Sequence, residues 1–408
     1  MTITLFNCAW TNRGDEAAFR SMIEELRKIY PDARFNLVVH SKKFFTQFPY
    51  SEDVVKICFI SPILRRNSID IPLLLLSRGR LAISENLRKL CKIIKESDFV
   101  FHNPGGPSMG DLYPATQYAN FYEFIITRFQ KKPYLFYAPS MGPFNNKKRN
   151  FLRRYIFNGA ELITTREPVS AEYYKALGAK KDITVTADSA LQHEFDFAPY
   201  EKQFEEYDEL KAFLSRYDKV VGVTIATLRW HHIHNTDEIE NRISSSFSAF
   251  VDYLKKRGIG VVFIPQIFGN GKGNDYPLMK KYARENCFVV DDEHDCFFQQ
   301  YLISKLYAVV GLRYHSNIFS AKMKTPFISV AYEQKMNGFV QLADLNDYLI
   351  NITELTPELL VEKFELLEKN YVEVKRHLEE VYPELKARSY KTTLLAKEVI
   401  DKYYGKNS

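Results

Sequence analysis

The sequence predicts an α/β fold built on two mostly parallel sheets, and three observations carry that reading. Short apolar runs alternate with helix-period stretches along most of the chain. The alternation stops once, from about Phe195 to Asp218, where composition turns charged and aromatic. The 408 residues also exceed one ordinary core, which holds about 100–200 residues per domain. Together these imply two Rossmann-like halves facing across a cleft, followed by C-terminal helices.

Taken in order, the strand expectations of the first half are Ile3–Ala9, Phe35–Val39, Val54–Ile60, Phe99–His102, Tyr134–Ala138, Leu162–Thr165 and Ile183–Thr186. Helix-like stretches lie between them at Glu16–Ile29, Ser84–Lys95, Tyr118–Lys131, Lys148–Asn158 and Pro168–Leu177. The last has a proline in its first turn and Gly178 just past its end, a start and a stop signal. A second series follows at Val220–Ile225, Val261–Pro265, Phe288–Val290, Leu306–Gly311 and Phe327–Ala331. Helical periodicity closes the chain over Pro357–Asn370 and roughly Lys375–Tyr404. The expected domains are 1–195, a linker and first helix at 196–218, 219–372, and a helix over 373–408 returning toward the first domain.

Composition narrows the class. With 46% hydrophobic and 26% charged residues the chain is globular, and no run of about 18 apolar residues is present to span a bilayer. The start MTITLFNCAW has no basic region ahead of its apolar run and reads as a first strand rather than a signal peptide. Five cysteines without a C-x-x-C pair fit a reducing cytoplasm and argue against structural zinc. The surplus of 56 basic over 50 acidic residues is modest, and no nucleic-acid motif accompanies it. Part of it concentrates in Lys147–Tyr155, which reads as a solvated helix face, and part in Arg65–Ile83. There the apolar Ile71–Leu76 is flanked by Arg65, Arg66, Arg78 and Arg80, which suits either a membrane interface or a buried element with charged ends.

The residues suited to chemistry stand at strand ends, where ligands sit in open α/β sheets. Arg313 and His315 follow the strand at Leu306–Gly311. A guanidinium fork clamps carboxylate or phosphate, and an imidazole moves protons near neutral pH, so this is a small-anion site. After the first strand, Asn12, Gly14, Asp15 and Glu16 form a turn opening a helix, where the two acids suit the helix dipole. Gly105 and Gly106 allow close backbone approach after the strand at Phe99–His102, with Asp111 beyond them. Arg166 ends a strand directly before the helix at Pro168, a place for an anion. Arg229, His231, His232 and His234 follow the first strand of the second half, and Pro265-Gln266 ends the next. The histidines have no acidic or cysteine partner at tight ligand spacing, so acceptor contact or a surface loop ranks above metal, and no metal site is expected.

In combination these segments resemble the polysaccharide pyruvyl transferase family. The family's Asn-x-Gly-Asp-Glu-Ala is matched by Asn12, Gly14, Asp15, Glu16 and Ala17, and its strand-Arg-Glu-x-x-Ser by Arg166, Glu167 and Ser170. Its Asp-x-Ala is matched by Asp188 and Ala190, and its Arg-x-His with a later Tyr-x-x-Lys by Arg313, His315, Tyr332 and Lys335. In the glycine loop Gly105, Gly106 and Asp111 match, while Pro104 replaces a glycine and Gly110 a Gln, departures that bear on the shape of the acceptor pocket.

The resemblance implies a GT-B-like arrangement and the transfer of pyruvate from phosphoenolpyruvate to two hydroxyls of one sugar, as a cyclic ketal with release of phosphate. It implies donor contacts from Arg313, Arg166, His315 and Lys335, and catalysis by His315 with Asp15, Glu16 or Asp111 on the acceptor side. Acceptor binding would fall to Asn12, Asp15, Gly105, Gly106, Arg229 and His231. No cofactor is implied beyond phosphoenolpyruvate as co-substrate. The partner would be a glycan or lipid-linked oligosaccharide, and the place of work the cytoplasm, with peripheral contact to the inner membrane face. The rivals are a GT-B glycosyltransferase using a nucleotide sugar and a catalytically silent glycan-binding protein.

Overall fold

The structure is a computed structural model that describes residues 1–8, 10–39, 54–58, 73–74, 76–79, 81–112, 114–229, 236–268, 274–291 and 294–404. Arg65, Arg66, Ile71, Leu75, Arg80, His231, His232 and His234 lie outside the described residues. The chain divides into two compact units. One comprises Met1–Trp10, Ala18–His193 and Arg388–Ser408, the other Thr11–Ala17 and Glu194–Ala387. The turn 11–17 thus counts with the second unit, whereas the sequence reading placed it in the domain 1–195.

The first unit carries β1 (Thr2–Phe6), α1 (Arg13–Ile29, from Ala18 onward), β2 (Arg34–Val39), β3 (Val54–Cys58), α2 (Glu85–Glu96), β4 (Phe99–His102) and α3 (Pro114–Phe129). It continues with β5 (Tyr134–Phe136), α4 (Lys147–Phe157), β6 (Leu162–Thr165), α5 (Pro168–Leu177) and β7 (Thr184–Val185). The seven strands run parallel in the order β3-β2-β1-β4-β5-β6-β7. All four residues of β4 are buried, the near-continuous apolar pattern of a strand covered on both faces. One face packs Phe19, Met22 and Leu26 of α1 on Ile3 and Leu5, with Ala396 and Ile400 from the chain end. The other packs Leu87, Leu90 and Ile94 of α2 and Phe124 of α3 on Phe6 and Val100. The expected punctuation of α5 is present, with Pro168 in its first turn and Gly178 left-handed at φ 74°.

The stretch 196–218 holds two helices, α6 (Ala198–Glu206) and α7 (Asp208–Leu214). The second sheet follows: β8 (Val220–Thr224), α8 (Thr236–Lys256), β9 (Gly260–Phe263), α9 (Asp275–Lys280), β10 (Cys287–Val289), α10 (Cys296–Ser304), β11 (Ala308–Gly311) and α11 (Tyr314–Met323). After them come β12 (Phe327–Ala331), α12 (Gln334–Leu342), β13 (Leu349–Asn351), α13 (Pro357–Lys369) and α14 (Tyr371–Tyr404). Its six strands are parallel in the order β10-β9-β8-β11-β12-β13. Each sheet therefore reverses its strand order once, between β1 and β4 and between β8 and β11, as in doubly wound dinucleotide-type folds. Strand β13 and helices α8, α9, α10 and α12 are additions to the sequence expectation. In α14, residues 388–404 count with the first unit, where Ser389, Thr392 and Thr393 hydrogen-bond Asp188, Thr186 and Gln192.

Candidate active site

The second sheet's switch point places the first group of side chains. As β11 ends, the Arg313 backbone N–H donates to Thr224 Oγ1 on neighbouring β8 at 3.1 Å, holding the crossing chain against the strand beside it. A Cβ on Gly311 would collide with the side chains of Asn317 and Ser316, so only glycine lets α11 begin this tightly. Arg313 then sits at the N-cap of α11 and His315 in its first turn, both about 5% exposed.

The Arg313 fork is oriented by a residue that sequence reasoning missed. Asp275, fully buried at the start of α9, accepts Nε at 3.1 Å and Nη2 in a bidentate pair. Its Oδ2 also accepts the backbone N–H groups of Gln266 and Ile267, each at 3.0 Å. A carboxylate held by this many donors is fixed in place, so it sets the plane of the guanidinium. Asp275 lies 38 residues from Arg313, beyond the reach of any local spacing pattern.

The turn 11–17 supplies the floor. Arg13 N–H donates to Gln266 O and Phe268 N–H to Thr11 O, both at 2.8 Å, tying the turn to the end of β9. A Cβ on Gly14 would penetrate the His315 imidazole, so the glycine is the space in which that ring lies. Asn12 folds the turn, accepting Gly14 N–H at 3.0 Å and donating to Asp15 at 2.9 Å. The two acids differ in setting. Glu16 is 1% exposed and pairs with Arg13 at 3.0 Å, while Asp15 is part-exposed and bonded to Asn12.

Beyond β12, Lys335 pairs with Glu333 at 2.7 Å, both buried. The Tyr332 phenol is pushed up from its ordinary value by burial, which Lys335 and Arg313 partly oppose, so all three share one neighbourhood. Gln266, 1% exposed, keeps an amide nitrogen with no hydrogen-bond partner among the described residues. Arg313, His315, Lys335, Gln266, Asn12 and Asp15 are thus gathered in the second unit. Exposed Arg229 is also in that unit, in ion pairs with Asp237 at 3.1 Å and Glu240 at 4.0 Å.

The remaining sequence candidates belong to the first unit. Arg166 at the end of β6 is 2% exposed and already committed: Nη1 to Asp188 at 2.6 Å, Nε to Ser140 at 2.8 Å, and Glu167 at 3.5 Å. It was expected to be a donor cation, and two buried carboxylates lie against its guanidinium. Asp111 was expected on the acceptor side. It instead anchors its loop, accepting Asn146 N–H at 2.8 Å and pairing with Arg153. Burial raises its carboxyl, but the Arg153 and Asn146 hydrogen bonds outweigh that and hold it below the usual range. A carboxylate so stabilised is a poor general base.

The loop bearing Gly105 and Gly106 is braced by Ser140 N–H on Gly105 O at 3.0 Å. His102 joins Ser108 Oγ at 2.7 Å across it. Asn103, fully buried there, has both amide atoms without hydrogen-bond partners among the described residues, a second group the sequence reading passed over. Among the described residues no three His, Cys, Asp or Glu side chains are gathered as a metal site.

Comparison with known proteins adds to this geometry. Residues 12–334 match the family described as Polysaccharide pyruvyl transferase. The amylovoran biosynthesis protein AmsJ of Erwinia amylovora is 22% identical over 407 residues, covering 90% of this chain and 92% of that protein. The fold is similar to that of UDP-GlcNAc 2-epimerase from Neisseria meningitidis, with TM-score 0.60, 12% identity and 97% and 99% of the two chains covered. It is also similar to UGT73P12 of Glycyrrhiza uralensis, with TM-score 0.54, 10% identity and 99% and 96% covered. At such identities these two show a shared GT-B-like fold of two Rossmann-like units.

Proposed function

Since the chain belongs to the polysaccharide pyruvyl transferase family, we propose that it transfers pyruvate from phosphoenolpyruvate to two hydroxyls of one sugar in a cell-surface polysaccharide or its lipid-linked precursor. One hydroxyl oxygen bonds to C2 of the enol ester while the methylene carbon takes up a proton. The C2–O bond to phosphate then breaks, the second hydroxyl closes the ring, and phosphate leaves. The two hydroxyl protons account for the proton on the new methyl group and the one released with phosphate.

The observation that carries this reading is the Arg313–Asp275 pair beside His315. A doubly ionised donor needs a cation whose plane is set before binding, and a proton donor within reach of the reacting carbon. Arg313 meets the donor's carboxylate or phosphate, and Lys335 adds a second cation. His315, seated on Gly14, delivers the proton. Asp15 and Asn12, at the part-exposed rim of the turn, orient the acceptor hydroxyls. These side chains meet the donor's charge without a divalent ion, so activity persists in chelator. The site works in the cytoplasm, where the free thiols of Cys8, Cys91, Cys287 and Cys296 are at home.

The test is incubation of the purified protein with phosphoenolpyruvate and a panel of sugars, read by phosphate release and by mass gain of the sugar. Release that depends on the acceptor, with one pyruvyl group gained per phosphate, supports the reading. Turnover of nucleotide sugars instead would favour the glycosyltransferase rival, and sugar binding without turnover the silent one.

A further inference from the structure

The apolar stretch that precedes α2 resolves into two parts. Leu74 is 1% exposed in the core of the first unit, while Leu76 is 84% exposed. Between them and α2 the chain makes a tight turn: Arg78 and Gly79 are both left-handed, at φ 52° and 75°, and Gly79 N–H donates to Leu74 O at 2.8 Å. Gln130 clamps that turn to α2 by donating to the carbonyls of Gly79 and Cys91 at 3.1 and 3.0 Å. Leu81 and Ile83, 59% and 58% exposed, follow directly.

Beside this apolar edge opens a cavity of about 960 Å³, lined by Arg78, Arg88, Lys92, Lys95, Lys131 and Lys132. Glu96 is the one carboxylate among its described lining residues, and it pairs loosely with Lys92 at 3.9 Å. The described lining carries six cations and one carboxylate, a net of five positive charges, against a surplus of six over the whole chain. Phe129 contributes an apolar wall. Six cations around an open cavity call for several anionic oxygens, and fixed apolar side chains along one edge call for hydrocarbon next to them. A membrane leaflet rich in anionic phospholipid presents both at one surface.

We propose that this face of the first unit docks on an anionic lipid bilayer. Headgroup phosphates enter the basic cavity, and Leu76, Leu81 and Ile83 insert at the boundary of the acyl chains. Nothing in this depends on the donor chemistry proposed above, so either can fail alone. The fold supplies the orientation: Leu74 and Gln130 hold the turn, and the exposed side chains need no rearrangement to reach the surface.

The experiment is sedimentation of the full chain with phosphatidylglycerol-containing and with pure phosphatidylcholine vesicles, at low and high salt. The variants are Leu76→Asp/Leu81→Asp and Arg88→Glu/Lys92→Glu/Lys95→Glu, all at exposed positions whose change leaves the thermal midpoint near that of the wild type. Binding to the anionic vesicles at low salt, its loss at high salt, and a fall of about tenfold or more in partitioning for both variants support the proposal. It is overturned if the wild type stays in the supernatant at low salt or binds both vesicles equally. It is also overturned if the leucine variant binds like wild type while inorganic pyrophosphate displaces the protein, which would make the cavity a pocket for soluble phosphoanions.

Discussion

Each unit carries a buried arginine at the end of a parallel strand, directly before a helix, and paired with a buried aspartate. Arg313 has Asp275 and Arg166 has Asp188. The two differ in what else surrounds them. Beside Arg313 stand His315, the Lys335–Glu333 pair and the Asn12–Asp15 turn, so the second cation offsets the second carboxylate. Beside Arg166 stand Glu167, which accepts a hydrogen bond from Ser170, and Ser140. A strand-arginine-helix motif at a sheet's carboxyl edge therefore does not by itself make an anion site. We propose that the partners decide, with Arg313 meeting the donor and Arg166 holding the strand end.

The comparison breaks first on activity. Arg313→Ala is expected to cost about 2–5 kcal/mol of transition-state stabilisation, thirtyfold or more in phosphoenolpyruvate-dependent kcat/KM, with the circular dichroism spectrum retained. Arg313→Lys is also impaired, because an ammonium cannot reproduce the planar fork. Gly14→Ala should approach the loss seen in His315→Ala, since the added methyl occupies the volume of the imidazole. A Gly14→Ala enzyme with wild-type kcat would show that His315 is not needed in this position.

Stability is the next contrast. Arg166→Met removes a buried cation that pairs with Asp188 and Glu167, which costs about 3–5 kcal/mol of folding free energy in denaturant titrations. The folded fraction should keep its turnover number. A stable Arg166→Met protein with lost activity would reverse the assignment and return Arg166 to the donor site.

Asp275→Asn sharpens the other half. The amide keeps an acceptor but loses the charge that orients Arg313, so kcat falls by about tenfold while the donor KM does not rise in proportion. A rise in KM alone would mean that Asp275 serves binding and not alignment.

The smallest effect concerns Asp111. Its folded pKa lies below the ordinary 3.8, so its pair with Arg153 contributes stability above that value and loses it as pH falls through the lower folded value. Asp111→Asn should be less stable at neutral pH and show a flatter decline on the acid side, measured by urea midpoints across pH. An unchanged acid limb would show that the ion pair adds nothing.

Much of this was legible in the sequence, for physical reasons that also mark the limit. Arg313 and His315 declared themselves because a buried parallel strand reads as an apolar run, and its carboxyl end is where polar groups gain access to ligand. Asp275 did not, because its partner is distant in sequence and nothing periodic leads to it. Helix α10 escaped because every residue of Cys296–Ile303 is buried, which erases the amphipathic stripe by which helices are found. Strand β13 is three residues long, too short to establish an alternation. The leucine run before α2 read either as interfacial or as buried; Leu74 is buried and Leu76 exposed.

The central claim is that Arg313, fixed by Asp275 and flanked by His315, binds the donor, whereas Arg166 is scaffold. Donor binding to the purified wild type, Arg313→Ala and Arg166→Lys, by calorimetry with phosphoenolpyruvate, tests it most directly. The account predicts that affinity is lost in Arg313→Ala and kept in Arg166→Lys. Retained affinity in the first, or its loss in the second while the protein stays folded, would contradict it.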